Sequence, residues 1–155
     1  MVVAVEQDRA RLGEHGVDWR LITEADIPWM VALAERRLRL QNHEFDLLSA
    51  EGWMRNIVLK QPMVFLPIRS ADAFLIAILA VIPWLPRDME CNVALVYAED
   101  GKMWEAVALI RESLAWAKRR GCAEWHISSE SVFDLAPIAK RVGAEECPPR
   151  WRVRF

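Results

Sequence analysis

The sequence predicts a single α+β domain, a mixed β-sheet flanked by helices, on three observations. Consecutive runs of branched and aromatic residues between 63 and 98 read as neighbouring strands, helical periodicities stand on both sides of them, and a further strand and helix follow. The chain of 155 residues has the length of one domain, and at 54% hydrophobic with 27% charged residues it can bury a core and solvate its outside. That composition excludes a disordered chain and a small disulfide scaffold.

Residues 17–22, VDWRLI, alternate as a short strand, leaving 1–16 as an N-terminal extension and 17–155 as the domain. Thr23 then begins T-E-A-D, a capping-box pattern that opens a helix through IPWMVALAERRLRL, with Pro28 in its first turns and Trp29, Leu33 and Leu40 on one face. A second helix starts near Ser49, carries Trp53, Met54, Ile57 and Val58 at helical spacing, and ends before Pro62. MVFLPIR (63–69) and AFLIAILAVI (73–82) form a hairpin about the polar joint S-A-D. After the turn-like PWLPRDM, ECNVALVYA (90–98) gives the next strand, closed by Glu99-Asp100-Gly101. From Lys102 to Arg120 the period becomes 3.6, with Trp104, Val107, Ala108, Ile110, Leu114, Trp116 and Ala117 apolar. Lys118, Arg119 and Arg120 suit the negative helix end, and Gly121 supplies the stop. AEWHIS (123–128) reads as a strand, DLAPIAKRV (134–142) as a short helix between Asp134 and Gly143, and RWRVRF as a terminal strand. The order is β-α-α-β-β-β-α-β-α-β.

Charge and cysteine usage bound the function classes. Twenty basic against twenty-two acidic residues give a net charge of -2, so there is no global positive field for nucleic acid or an anionic membrane. The uncharged run Ala73 to Leu85 falls short of the roughly 20 residues of a membrane span, and no export leader is evident. Cys91, Cys122 and Cys147 form an odd, scattered set that suits reduced thiols, so a cytoplasmic protein is expected. His15, His43 and His126 lie far apart and no CxxC, HxxxH or HExxH spacing occurs, so no metal site is expected.

The segments VYAEDG, ALIRESLAWAKRRG, AEWHIS and APIAKRVGAEE, in that order, resemble the GNAT superfamily of acyl-CoA-dependent N-acyltransferases. The likeness covers roughly 17–155. It implies a GNAT-like mixed sheet, acetyl-CoA or another acyl-CoA as cofactor, and a small-molecule or protein amine as acceptor. In that family a Q/R-x-x-G-x-G/A turn before the third helix holds the cofactor's pyrophosphate on backbone N–H groups. Aligned through Leu109 and Ile110, its positions fall on Gly101, Trp104 and Ala106, so only Ala106 conforms, although Gly101 and Lys102 offer a permissive turn and a cation. The resemblance further implies Glu90 as general base through water, and the backbone of Val96, Tyr97 and Ala98 as the partner of the pantetheine arm. The tyrosine that commonly protonates the thiolate is replaced by Ala139, the asparagine often found nearby falls near Val132, and Ser128, Ser129 and Ser131 are the only polar substitutes close by.

Each of these residues also has a plainer reading. Glu90 can be a solvated residue entering a strand, Lys102 a solvated lysine, and His126 a half-buried, hydrogen-bonded histidine. Trp104 and Trp116 read as core or interface packing rather than ligand contacts. Arg150, Arg152 and Arg154 share one face of the terminal strand, either as a basic ledge for a phosphate or an acidic partner or as protection of an edge. Trp19, Trp84 and Trp151 sit near element ends, where exposed aromatics would mark a protein contact. Two functions of different class therefore stand: the N-acyltransferase, or a GNAT-fold structural or protein-binding module that has lost its cofactor. Such a module would be a homo-oligomer or would have a structural protein partner, as in compact phage-encoded proteins of the virion.

Overall fold

A computed structural model describes residues 19–60, 64–65, 67–69, 72–82, 85–127 and 136–145. Its elements are β1 (Arg20–Leu21), a 3-10 turn (Glu24–Asp26), α1 (Ile27–Arg39), α2 (Leu47–Leu59), β2 (Val64–Phe65), β3 (Pro67–Arg69), β4 (Ala73–Ile82), β5 (Leu85–Ala98), α3 (Met103–Arg119), β6 (Glu124–Ile127) and α4 (Ala136–Arg141). The sheet runs β1-β3-β4-β5-β6 with β2 also on β4, and every pairing is antiparallel except β5 with β6. This is the mixed sheet flanked by helices that the sequence predicts. The extension 1–16 and the terminal strand with Arg150, Arg152 and Arg154 lie outside the described residues, as do Ser128, Ser129, Ser131, Val132, Cys147, Trp84 and Trp151.

The two faces of β4 and β5 carry separate cores. Ala73, Leu75, Ala77 and Leu79 on β4, with Cys91, Val93, Val96 and Ala98 on β5, pack against α3 and Ile138 of α4. Phe74, Ile76 and Tyr97 face the other way, onto α1 and α2. Along β5 the first set changes from odd to even positions between Val93 and Val96. The register explains this: Ala77 pairs Val93 and Ile76 pairs Leu95, so Ala94 is an extra residue, a β-bulge that resets the alternation. Beneath α3, the Trp125 indole N–H donates to Ser113 Oγ at 3.1 Å, and that hydroxyl donates to the Ile110 carbonyl at 2.7 Å, which satisfies the polar groups of this interface.

Several boundaries differ from the sequence expectation for identifiable reasons. β5 begins at Leu85, so much of the turn-like PWLPRDM is strand, drawn into pairing by the length of β4 (Ile82 opposite Leu85). The 63–69 run forms two short strands, β2 and β3. T-E-A-D forms the 3-10 turn, where the Asp26 carboxylate accepts from the Thr23 N–H at 2.8 Å, and α1 proper begins at Ile27. Leu40 lies beyond the end of α1 and is exposed, while Trp29 and Leu33 do face inward. α2 starts at Leu47, two residues before the expected start near Ser49, because Asp46 caps it and accepts from the Ser49 N–H. On α2, Met54 and Ile57 are buried whereas Trp53 is exposed. Trp19 packs half-buried against the α3-side core. Among the described residues no helix is long and apolar enough to cross a membrane.

Candidate active site

The site is built around a fork, the point where the described pairing of β5 with β6 stops. Among the described residues these parallel strands pair from Glu90 opposite Glu124 to Val93 opposite Ile127, the last described residue of β6, whereas β5 continues to Ala98. Among the described residues no strand pairs with that outer edge of β5 beyond Val93, and the Ala94 bulge sits at the fork. Past Ala98 the chain turns through Gly101 (φ 73°), a left-handed conformation that suits glycine, and enters α3 at the head of the fork. Lys102, the N-cap, makes no side-chain capping bond, so the first N–H groups of α3 form a positive terminus at the end of the central strand.

The turn is clamped from α1. Arg37 donates to the Ala98 carbonyl from Nε at 2.9 Å and from Nη2 at 2.7 Å, and its Nη1 lies 2.7 Å from Asp100. Arg36 pairs with Glu99 at 2.6 Å, and Lys102 Nζ lies 3.4 Å from Asp72. The basic end of α1 thus holds the acidic turn that launches α3. Lys102 is not merely solvated, since Asp72 attracts it. Val96, Tyr97 and Ala98 are all buried, and Tyr97 packs on Phe74 at 5.5 Å, with burial pushing its phenol pKa up. Ala106 is fully buried against the sheet, where its size permits the close approach of α3.

Trp116 lies in the core as expected, but Trp104 does not. Its side chain is 67% exposed on the first turn of α3, with the Arg141 guanidinium of α4 5.2 Å from its ring centre. Of the two expected alternatives, core or interface packing, the core is excluded for Trp104 because position 104 lies off the stripe defined by Ala106, Val107, Leu109, Ile110, Ser113, Trp116 and Ala117.

At the other end of the fork, Glu90 is brought to a partner that sequence spacing does not suggest. The buried Cys91 and Val93 point to the α3 side, so Glu90 points to the opposite face, as do Glu124 and His126 on β6. His126 Nε2 lies 2.8 Å from Glu124 Oε2 and 4.0 Å from Glu90 Oε2. Glu90 is therefore a half-buried member of a two-carboxylate, one-imidazole cluster, in the interior of β5 rather than at its start. The signal in the sequence is E-W-H, which places Glu124 and His126 on one strand face, but only the register of β6 against β5 adds Glu90. The described residues thus place Glu90 at the base of the fork and Val96 to Lys102 at its head. By strand rise, Glu90 lies about 10 Å from the fork at Val93 and about 20 Å from Val96.

Comparison with known proteins bears on the fold alone. No family model matches the sequence, and no curated protein matches it at a meaningful level. Among solved structures, a predicted acetyltransferase from Clostridium acetobutylicum with acetyl-CoA matches with a TM-score of 0.69 at 13% identity, over 88% of this chain and 94% of the other. An integron cassette protein from the mobile metagenome of Cole Harbour Salt Marsh matches at 0.72 and 12%, over 89% and 90%. A transcriptional regulator from Bacillus halodurans matches at 0.70 and 16%, over 88% and 98%. Identities this low identify an architecture and not a substrate: the chain has the GNAT-like α+β fold of solved acetyltransferases.

Proposed function

We propose that this protein is an acyl-CoA-dependent N-acyltransferase. One observation carries the reading: the central strand, bulged at Ala94, leads through the Gly101 turn into a helix N-terminus that has no side-chain cap. Strand backbone beyond the bulge would suit the amides of a pantetheine arm, and helix N–H groups would suit a pyrophosphate. Val96 and Tyr97 would supply the strand backbone. The Ala98 carbonyl would share its acceptor capacity with Arg37. Gly101, Lys102 and the first turn of α3, packed close through Ala106, would hold the phosphates. Glu90 would take the proton of the acceptor amine through water as the new N–C bond forms and the C–S bond breaks, the thiolate then being protonated by solvent.

The acyl acceptor is an amine of small-molecule or protein origin, and calorimetry separates binding from chemistry. Acetyl-CoA should bind saturably to the wild-type chain, and Glu90→Gln should retain that affinity while losing about 100-fold or more in turnover. No heat and no thermal shift with acetyl-CoA, unrestored by Trp104→Gly, would end the enzyme reading. A protein-binding role is favoured by a different observation, the exposed Trp104 and Met103 at the head of α3. Its test is sedimentation: an oligomer that Trp104→Ala dissolves would support it.

A further inference from the structure

We propose that Glu90, Glu124 and His126 form a binding site for a first-row divalent cation of the zinc type. Their three candidate ligand atoms lie within 4.8 Å of one another, and the carboxylate approaches to His126 Nε2 are 2.8 Å and 4.0 Å. These lengths bracket the edge of roughly 3.4 Å that separates ligands around a tetrahedral ion with bonds of about 2.0–2.1 Å. The donors stand on a hydrogen-bonded ladder: Glu90 is the register partner of Glu124, and His126 follows two residues along the same strand face. The backbone therefore fixes all three origins, and only side-chain rotations are needed to close the site.

The electrostatics point the same way. Two carboxylates share a small volume at the sheet face, and among the described residues no Lys or Arg pairs with either. His126 Nε2 is shielded from solvent and, for all its closeness to Glu124, makes no hydrogen bond of acceptable geometry. A shielded imidazole nitrogen beside two carboxylates, with no hydrogen bond of its own, suits a metal ion. The imidazole in the set selects zinc over magnesium, which prefers six oxygen ligands. Glu124 is 63% exposed, which leaves a fourth coordination position open to water. A cation held there occupies the Glu90 carboxylate, so zinc would inhibit any proton transfer by Glu90 rather than assist it.

Zinc binding is read without reference to acyl transfer, so its failure is distinguishable from failure of the enzyme reading. Zn²⁺ titrated into the full-length, reduced chain by calorimetry should bind at one equivalent, while Mg²⁺ gives no signal. Glu124→Gln and His126→Ala should each weaken Zn²⁺ binding about tenfold or more, with unchanged circular dichroism and thermal midpoint. Glu124→Gln alters an exposed side chain, so its result stands even if His126→Ala proves unstable. Sub-stoichiometric binding, or binding unaffected by Glu124→Gln, would overturn the proposal. So would binding that survives both variants but is lost in Cys122→Ser, which assigns the ion to a thiol.

Discussion

Cys91 and Cys122 differ in what surrounds them, although both are free thiols. Cys91 is fully buried in the α3-side core, and desolvation, with the neighbouring Cys122 adding to it, pushes its pKa up to about 12. Iodoacetamide at neutral pH should therefore modify Cys122 and leave Cys91 untouched until the chain unfolds, as peptide mapping by mass spectrometry would show. Asp26 is shifted in the opposite sense. A hydrogen-bonded Arg20 and the Thr23 N–H and hydroxyl hold its carboxyl down to about 2. A carboxyl depressed by folding stabilises the fold fully above its ordinary value near 4, and that contribution is lost as pH falls from about 4 through about 2. Arg20 is more than half exposed, so solvent screening cuts its share. Arg20→Ala should cost about 1 kcal/mol in urea unfolding at pH 7, and that cost should shrink progressively as pH falls from about 4 to about 2. Glu90 was legible in the sequence as a candidate base. Its neighbours were not, because residues distant in the chain meet only through strand register.

α3 shows most directly how element-level rules operate. Its buried residues recur at intervals of three and four, and its end is a Schellman motif, with the Cys122 N–H on the Ala117 carbonyl, the Gly121 N–H on the Lys118 carbonyl, and Gly121 at φ 74°. Periodicity and a glycine stop are local signals, so the helix stood in the sequence within a residue of its observed ends. The placement of its two tryptophans did not, since an indole on the flank of an apolar stripe can turn inward or outward. Thermal unfolding should separate them: Trp116→Ala should destabilise by about 3–5 kcal/mol through loss of core volume. Trp104→Ala, losing mainly the Arg141 contact, should cost about 1 kcal/mol or less. β5 erred the other way, because Pro86 and the charges after it read locally as a turn, while pairing with β4 extends the strand to Leu85.

For the whole molecule, β4 and β5 form the spine between two cores, paired along most of their length, whereas β1 holds only the short register of Arg20 and Leu21 against β3. Hydrogen exchange should accordingly be slowest for the amides of Leu75 and Ile76 and fastest at β1, by several orders of magnitude. Equal protection of β1 and β4 would show instead that the sheet opens as one unit. The sequence by itself determined the α+β class, the helices and most strands among the described residues, because strand and helix periods, caps and stops act over a few residues, whereas the GNAT-like arrangement was implied by resemblance. Only the tertiary structure decided that Glu90 meets Glu124 and His126, that Arg37 occupies the Ala98 carbonyl and that Trp104 faces outward. Those outcomes depend on register, on the Ala94 bulge and on the rotation of helices over the sheet, which are set by packing between segments far apart in the chain.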